Sequence, residues 1–121
     1  MSELSNIMWE TMSEHYRNIV DNICNEYENN PKYKIKKFYN NLILEGFCVF
    51  YDTPDFRMLE AGYYVGKNRL IALKMWKFCT TGAKALRAQI QKSNTCMYEF
   101  YKKMGFKIIE ENLSNYIFEK R

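Results

Sequence analysis

Histidine is almost missing from this chain. His15 is the only one in 121 residues. Ser-His or Cys-His catalysis and zinc-type ligand clusters therefore have little to work with, and no metal site is expected. His15 itself reads as an exposed helix residue. Cysteine does not fill the gap. Cys24, Cys48, Cys79 and Cys96 form no C-x-x-C pair, and each lies in an apolar stretch. All four are expected to be reduced, buried small hydrophobes. Glycine (5) and proline (2) are too scarce for a low-complexity chain. No apolar run approaches the roughly 18–20 residues that cross a bilayer as a helix. The opening "MSELSNIMWE" has no basic start followed by an apolar stretch, so a secretory leader is not expected. The chain reads as soluble, intracellular and cytoplasmic.

What is present is aromatic and apolar. There are 10 Tyr, 8 Phe and 2 Trp, and hydrophobic residues make up 47%. That suits one domain over residues 1–121 with one core. The net charge of +4 conceals an asymmetry. Residues 1–30 hold one basic residue, Arg17, against six acidic ones, whereas residues 31–121 hold 17 basic against 8 acidic. The two parts can pack on each other or each meet a partner.

Along the chain, apolar residues at Met8, Met12, Tyr16, Ile19, Val20, Ile23 and Tyr27 follow steps of three and four. They predict one amphipathic helix from about Asn6 to Tyr27. Asn29-Asn30-Pro31 ends it, and a second helix is expected with Asn30 as cap and Ile35, Phe38, Tyr39 and Leu42 on one face. Residues 1–44 are thus read as two helices and 45–121 as the sheet-bearing part. "EGFCVFYD" (45–52) and "FRMLEAGYYV" (56–65) predict strands. A helix follows from about Lys67 to Thr80. "KALRAQIQK" alternates as a strand, a helix runs over the stretch 94–104, and two strands joined by "ENLSN" close the chain. The order indicates an α/β (α+β) domain, a mixed sheet with helices packed on it.

Four features could carry function. The basic stretch "KYKIKKFY" (32–39) could track phosphates, but its lysines fit a solvated helix face, and nucleic-acid binding is not expected. "GKNRL" (66–70) joins a strand to a helix, where free backbone N–H groups attract anions. Its Lys67 and Arg69 are either anion ligands or two solvated cations. Glu60 follows strand alternation with Met58, Gly62 and Tyr64, opposite Leu59, Ala61, Tyr63 and Val65. It is either a general base among aromatics or a solvated carboxylate. In "NTCMYEFYKKMGF" (94–106), Asn94 is a good N-cap, Gly105 a good C-terminal stop, and Tyr101 lies on the buried stripe. Tyr101 reads as core packing by periodicity alone.

The spacing Asn94, Tyr101, Gly105-Phe106 resembles the last conserved block of the GNAT superfamily, the N-acetyltransferase fold. Met97, Phe100 and Lys102-Lys103-Met104 fit the intervening family positions, and the element order over 45–121 is similar. The resemblance implies a mixed, mostly antiparallel sheet with helices on both faces, lacking the usual first strand. It also implies acetyl-CoA lying in a split between two central strands. Backbone near Val65 would bind the acetyl carbonyl, and Gly66, Lys67, Asn68 and Arg69 with the helix start would hold the pyrophosphate. Asn94 would contact the pantetheine side. Tyr101 would protonate the departing thiolate, and Glu60 would take a proton from an amine substrate. "VGKNRLIAL" departs from the family form Gln/Arg-x-x-Gly-x-Gly/Ala: it is shorter, with no glycine after Gly66 to let backbone approach phosphates. Such short, glycine-poor versions resemble GNAT-like proteins of tailed bacteriophages, some of which look like virion or internal structural proteins. That likeness implies a catalytically silent alternative with virion proteins as partners.

Overall fold

The computed structural model describes residues 3–11, 20–64 and 69–121. Two helices, α1 (Glu3–Thr11) and α2 (Val20–Asn29), precede strands β1 (Lys34–Asn40), β2 (Ile43–Asp52) and β3 (Arg57–Tyr64). Then come α3 (Arg69–Thr80), β4 (Leu86–Gln91), α4 (Thr95–Lys103), β5 (Lys107–Glu111) and β6 (Asn115–Lys120). The six strands form one sheet in the order β1-β2-β3-β4-β6-β5. Only β3 and β4 run parallel. Among the described residues no strand precedes α1.

Helices cover both faces because both faces are apolar. On one, Leu4, Ile7, Met8, Val20 and Cys24 of α1 and α2 pack on Phe47 and Val49 of β2. On the other, Ile71, Met75 and Cys79 of α3 and Tyr101 of α4 pack on Cys48, Leu86, Ala88 and Phe118. The alternation of Phe47 and Val49 against Cys48 sends successive β2 side chains to opposite cores.

The N-terminal third departs from the sequence expectation twice. Cys24 Sγ lies 3.1 Å from Met8 Sδ. Sixteen residues of one continuous helix would separate them by about 24 Å. The segment expected as one helix from Asn6 to Tyr27 is therefore two helices side by side, with residues 12–19 outside the described ones. The second expected helix is instead strand β1, antiparallel to β2. Asn40 pairs with Ile43 across a two-residue turn in which Asn41 has φ 57°. Asparagine tolerates that left-handed conformation, and such a turn suits the twist of a hairpin. Asn30 caps no helix; its side-chain oxygen accepts from Lys32 N–H at 3.0 Å in a local turn. The boundary at residue 44 is accordingly wrong: the sheet begins at Lys34.

The C-terminal strands follow expectation. Asn112 Oδ1 accepts from Ser114 N–H (2.9 Å) and Asn115 N–H (2.8 Å), which closes the β5–β6 turn. One cysteine does not: Cys96 is exposed on the outward side of α4, while Cys24, Cys48 and Cys79 are buried.

Candidate active site

The parallel ladder between β3 and β4 is short. It runs from Arg57↔Leu86 through Met58↔Arg87 to Leu59↔Ala88. Beyond that point residues 60–64 of β3 and 89–91 of β4 have no pairing with each other, although β3 stays paired with β2 and β4 with β6. The sheet therefore forks at its centre.

Glu60 sits at the base of the fork for a definite reason. Across β2, Val49 pairs with Ala61 and Phe50 with Leu59, so Glu60 is the extra residue of a β-bulge. A bulge leaves one residue unpaired and reverses the alternation that follows. The expected grouping of Leu59, Ala61 and Tyr63 on one face is corrected accordingly. Leu59 packs into the α3/α4 core, while Ala61 and Tyr63 pack into the α1/α2 core. Glu60 is half-buried, neither solvated at an edge nor sealed inside. Its carboxylate is near Tyr27 and Tyr33. Burial raises both phenols above their ordinary value, and the charge of Glu60 raises them further.

Tyr101 approaches the same point from the opposite face. Its ring stacks on Phe118 at 5.6 Å, and Phe118 is the cross-strand partner of Ala88, the last residue of β4 that pairs with β3. Two local devices hold it there. At the start of α4, Asn94 Oδ1 accepts from Met97 N–H at 3.2 Å. At its end, Gly105 has φ +89°, Gly105 N–H donates to Lys102 O (3.1 Å), and Phe106 N–H donates to Tyr101 O (3.0 Å). This is the paired 6→1 and 5→2 termination that needs a residue of positive φ. The Phe106 ring then closes on Tyr101 at 4.8 Å. The Gly-Phe pair thus has a structural reason, to anchor the carbonyl and ring of Tyr101.

Tyr101 is 4% exposed, and its hydroxyl has no hydrogen-bond partner among the described residues. Among the described residues no fully buried side-chain oxygen lacks a partner, so the hydroxyl keeps some access to solvent. Burial first, then Cys79 and Cys48, push the phenol well above its ordinary value. It stays protonated throughout the neutral range. Cys48 and Cys79 lie nearby with their sulfurs 3.8 Å apart, and their shared hydrogen bond together with burial keeps the Cys48 thiol protonated.

The expected cofactor turn falls mostly outside the described residues: Val65, Gly66, Lys67 and Asn68 lie there, and of Arg69 only the backbone is described, as the first residue of α3. The start of α3 follows the forked end of β3, which is where free helix N–H groups can meet an anion. A cavity of about 250 Å³ lined by Trp76, Thr80, Lys84, Leu86 and Lys120 lies at the other end of α3, away from the fork.

Sequence reasoning missed the bulge, and with it the direction of Glu60. It also missed Tyr27 and Tyr33 as its neighbours. A bulge is a mismatch between two strands, and one strand alone does not display it.

Solved structures that superpose on this chain include N-acetyltransferases. The aminoglycoside 6'-acetyltransferase type Ii superposes with a TM-score of 0.68 at 18% identity, covering 98% of this chain and 86% of that one. The Campylobacter jejuni N-acetyltransferase PseH in complex with acetyl coenzyme A gives 0.65 at 15%, covering 100% and 92%. A protein of the GNAT family from Desulfovibrio desulfuricans gives 0.68 at 14%, covering 98% and 90%. The chain has the GNAT fold. No protein-family model and no curated protein sequence matches it.

Proposed function

We propose that the protein moves an acetyl group from acetyl-CoA to an amine. The observation that carries this is the fork between β3 and β4, with the unpartnered Tyr101 hydroxyl on one face of its base and Glu60 on the other. Acetyl-CoA would supply the acetyl group as an activated thioester. Backbone near Val65 would receive the carbonyl oxygen. Residues 66–69 and the start of α3 would face the pyrophosphate, and the Asn94 amide N–H groups would face the pantetheine. Glu60 takes a proton from the incoming ammonium, directly or through water, which frees the nitrogen lone pair. The C–N bond forms as the C–S bond breaks. Tyr101 gives its proton to the leaving sulfur and is reloaded, through solvent, by the second proton that the newly acylated nitrogen sheds, while Glu60 passes its proton to bulk water. The phenol is protonated at neutral pH, so the donor is loaded.

The test is calorimetric titration with acetyl-CoA and desulfo-CoA. Binding is expected in the wild type and in Tyr101→Phe, with turnover lost only in the variant. No binding at millimolar ligand would overturn the reading.

A second reading rests on the β3–α3 connection. There the sequence "VGKNRLIAL" is shorter than the family form and has no glycine after Gly66. A turn so short and glycine-poor suits a silent GNAT-fold protein of a tailed phage, held by virion proteins. Such a protein would be recovered from purified virions at fixed stoichiometry, and its absence there would count against this reading.

A further inference from the structure

Five aromatic or acidic side chains meet on the α1/α2 face of the sheet. Tyr27 of α2 meets Tyr33 edge to face at 5.6 Å. Tyr63 lies on the same apolar cluster, 5.5 Å from Phe47. The bulge turns Glu60 toward Tyr27 and Tyr33. Tyr51, on the adjoining part of β2, completes the group. An ammonium already occupies its outer end: Lys32 Nζ stands 4.6 Å over the Tyr51 ring and 5.5 Å over the Tyr33 ring. Tyr27, Tyr33, Tyr63 and Glu60 are half-buried, so their ring faces and the carboxylate are only partly screened by water. Aromatic faces beside a partly desolvated carboxylate favour a cation over a neutral molecule of the same shape.

We propose that this tyrosine-lined patch around Glu60 binds the primary ammonium of an unbranched alkylamine, and that Lys32 is a built-in competitor at its outer end. The inference rests on the acetyl-transfer reading for the fate of the amine, but binding of the cation does not require a cofactor. The recognised group is an ammonium on a flexible methylene chain, as found at the end of a free diamine or of a lysine side chain. Tyr33 and Tyr27 supply ring faces, Tyr63 closes the inner side, and Glu60 supplies the charge. Glu26, which also acts on Tyr33, adds a second carboxylate at the outer side.

The test is calorimetry on the full chain with 1,5-diaminopentane, Nα-acetyl-lysine amide and the neutral 1,5-pentanediol, with acetyl-CoA binding measured on the same samples. The diamine is expected to bind at least about tenfold tighter than the diol. Tyr33→Leu is expected to weaken the diamine about threefold, and Glu60→Gln about tenfold, the effect of removing a paired charge. Lys32→Gln is expected to tighten it about threefold by removing a like charge. Circular dichroism confirms folding of each variant, and Tyr33→Phe, which keeps the ring, is expected to keep the affinity. Tighter binding of the lysine amide would assign a protein lysine as the source, and tighter binding of the diamine a free polyamine. Equal binding of diamine and diol, or no effect of Glu60→Gln in folded protein, would overturn the inference. If acetyl-CoA still binds in that case, the transfer reading stands. Diamine binding in a protein that binds no acetyl-CoA would overturn the transfer reading and leave the cation site in place.

Discussion

The oxygen of Asn94 is committed to the backbone of α4, while its amide nitrogen has no partner among the described residues. The two atoms can be separated by substitution. Asn94→Ala removes the cap and is expected to cost about 1 kcal/mol in urea denaturation. Asn94→Asp keeps the cap oxygen and so the stability, but loses both N–H donors. Its acetyl-CoA affinity is expected to fall at least about tenfold by calorimetry, the scale of a lost hydrogen bond with a charge added. Tyr101→Phe deletes a hydroxyl without a partner among the described residues, so its stability is expected to stay within about 0.5 kcal/mol of wild type. At this scale the sequence was readable where the device is local. The cap, the glycine stop and the Tyr101 position all lie within thirteen residues and depend on helix geometry alone. Glu60 was not readable in the same way. Its direction depends on how Val49 and Phe50 pair across from it.

Among the elements, α3 is tied to the sheet by one buried cation. The Arg57 guanidinium donates to Phe78 O (2.7 Å), Thr81 O (3.1 Å) and Asp52 Oδ1 (2.8 Å), between the rings of Phe50 and Phe78. It satisfies Thr81 O and adds a second donor to Phe78 O, which also accepts from Thr81 N–H at 3.3 Å, at the end of α3 where carbonyls lack helical partners. Arg57→Leu would strand the Thr81 carbonyl, leave Phe78 O with Thr81 N–H alone, and take from Asp52 its cation. A loss of about 3 kcal/mol is expected, seen as a fall in Tm of more than about 10 °C. The same scale explains why β1 was misread. Ile35, Phe38, Tyr39 and Leu42 do fit a helical stripe. But Tyr33 and Ile35 also fit a strand with period two, and these two enter the α1/α2 core. What decides is β2, whose ten residues offer an edge that β1 pairs along its whole length. Tertiary pairing of that kind overrides local periodicity. The exposed lysines of β1, at Lys34, Lys36 and Lys37, then guard the outer edge of the sheet against further strands.

Among the described residues, the acidic start and the basic body meet at an exposed ion pair, Lys37 with Glu3 at 3.8 Å. Such a pair contributes little. Stability rests on the two apolar clusters, and buried phenols, Tyr27 and Tyr101 among them, link the clusters to pH. Tyr27 and Tyr101 hold their protons more tightly in the folded chain, chiefly because burial penalises the phenolate. Their contribution is complete below the unfolded value near 10 and is lost as pH rises from there toward the raised folded values. Urea midpoints are expected to fall steadily above about pH 10, and Tyr27→Phe to flatten the slope. The mixed sheet was legible in the order of apolar runs. The fork was not, because it is a place where pairing stops.

That stop has a kinetic consequence. Strand β3 is laced on both sides up to Leu59 and on one side only from Glu60 onward. Deuterium uptake should therefore rise along a single strand, slow at residues 57–59 and faster at 60–64. A ligand lodged in the gap should level that gradient, and levelling by acetyl-CoA would reveal occupancy even when no product is made.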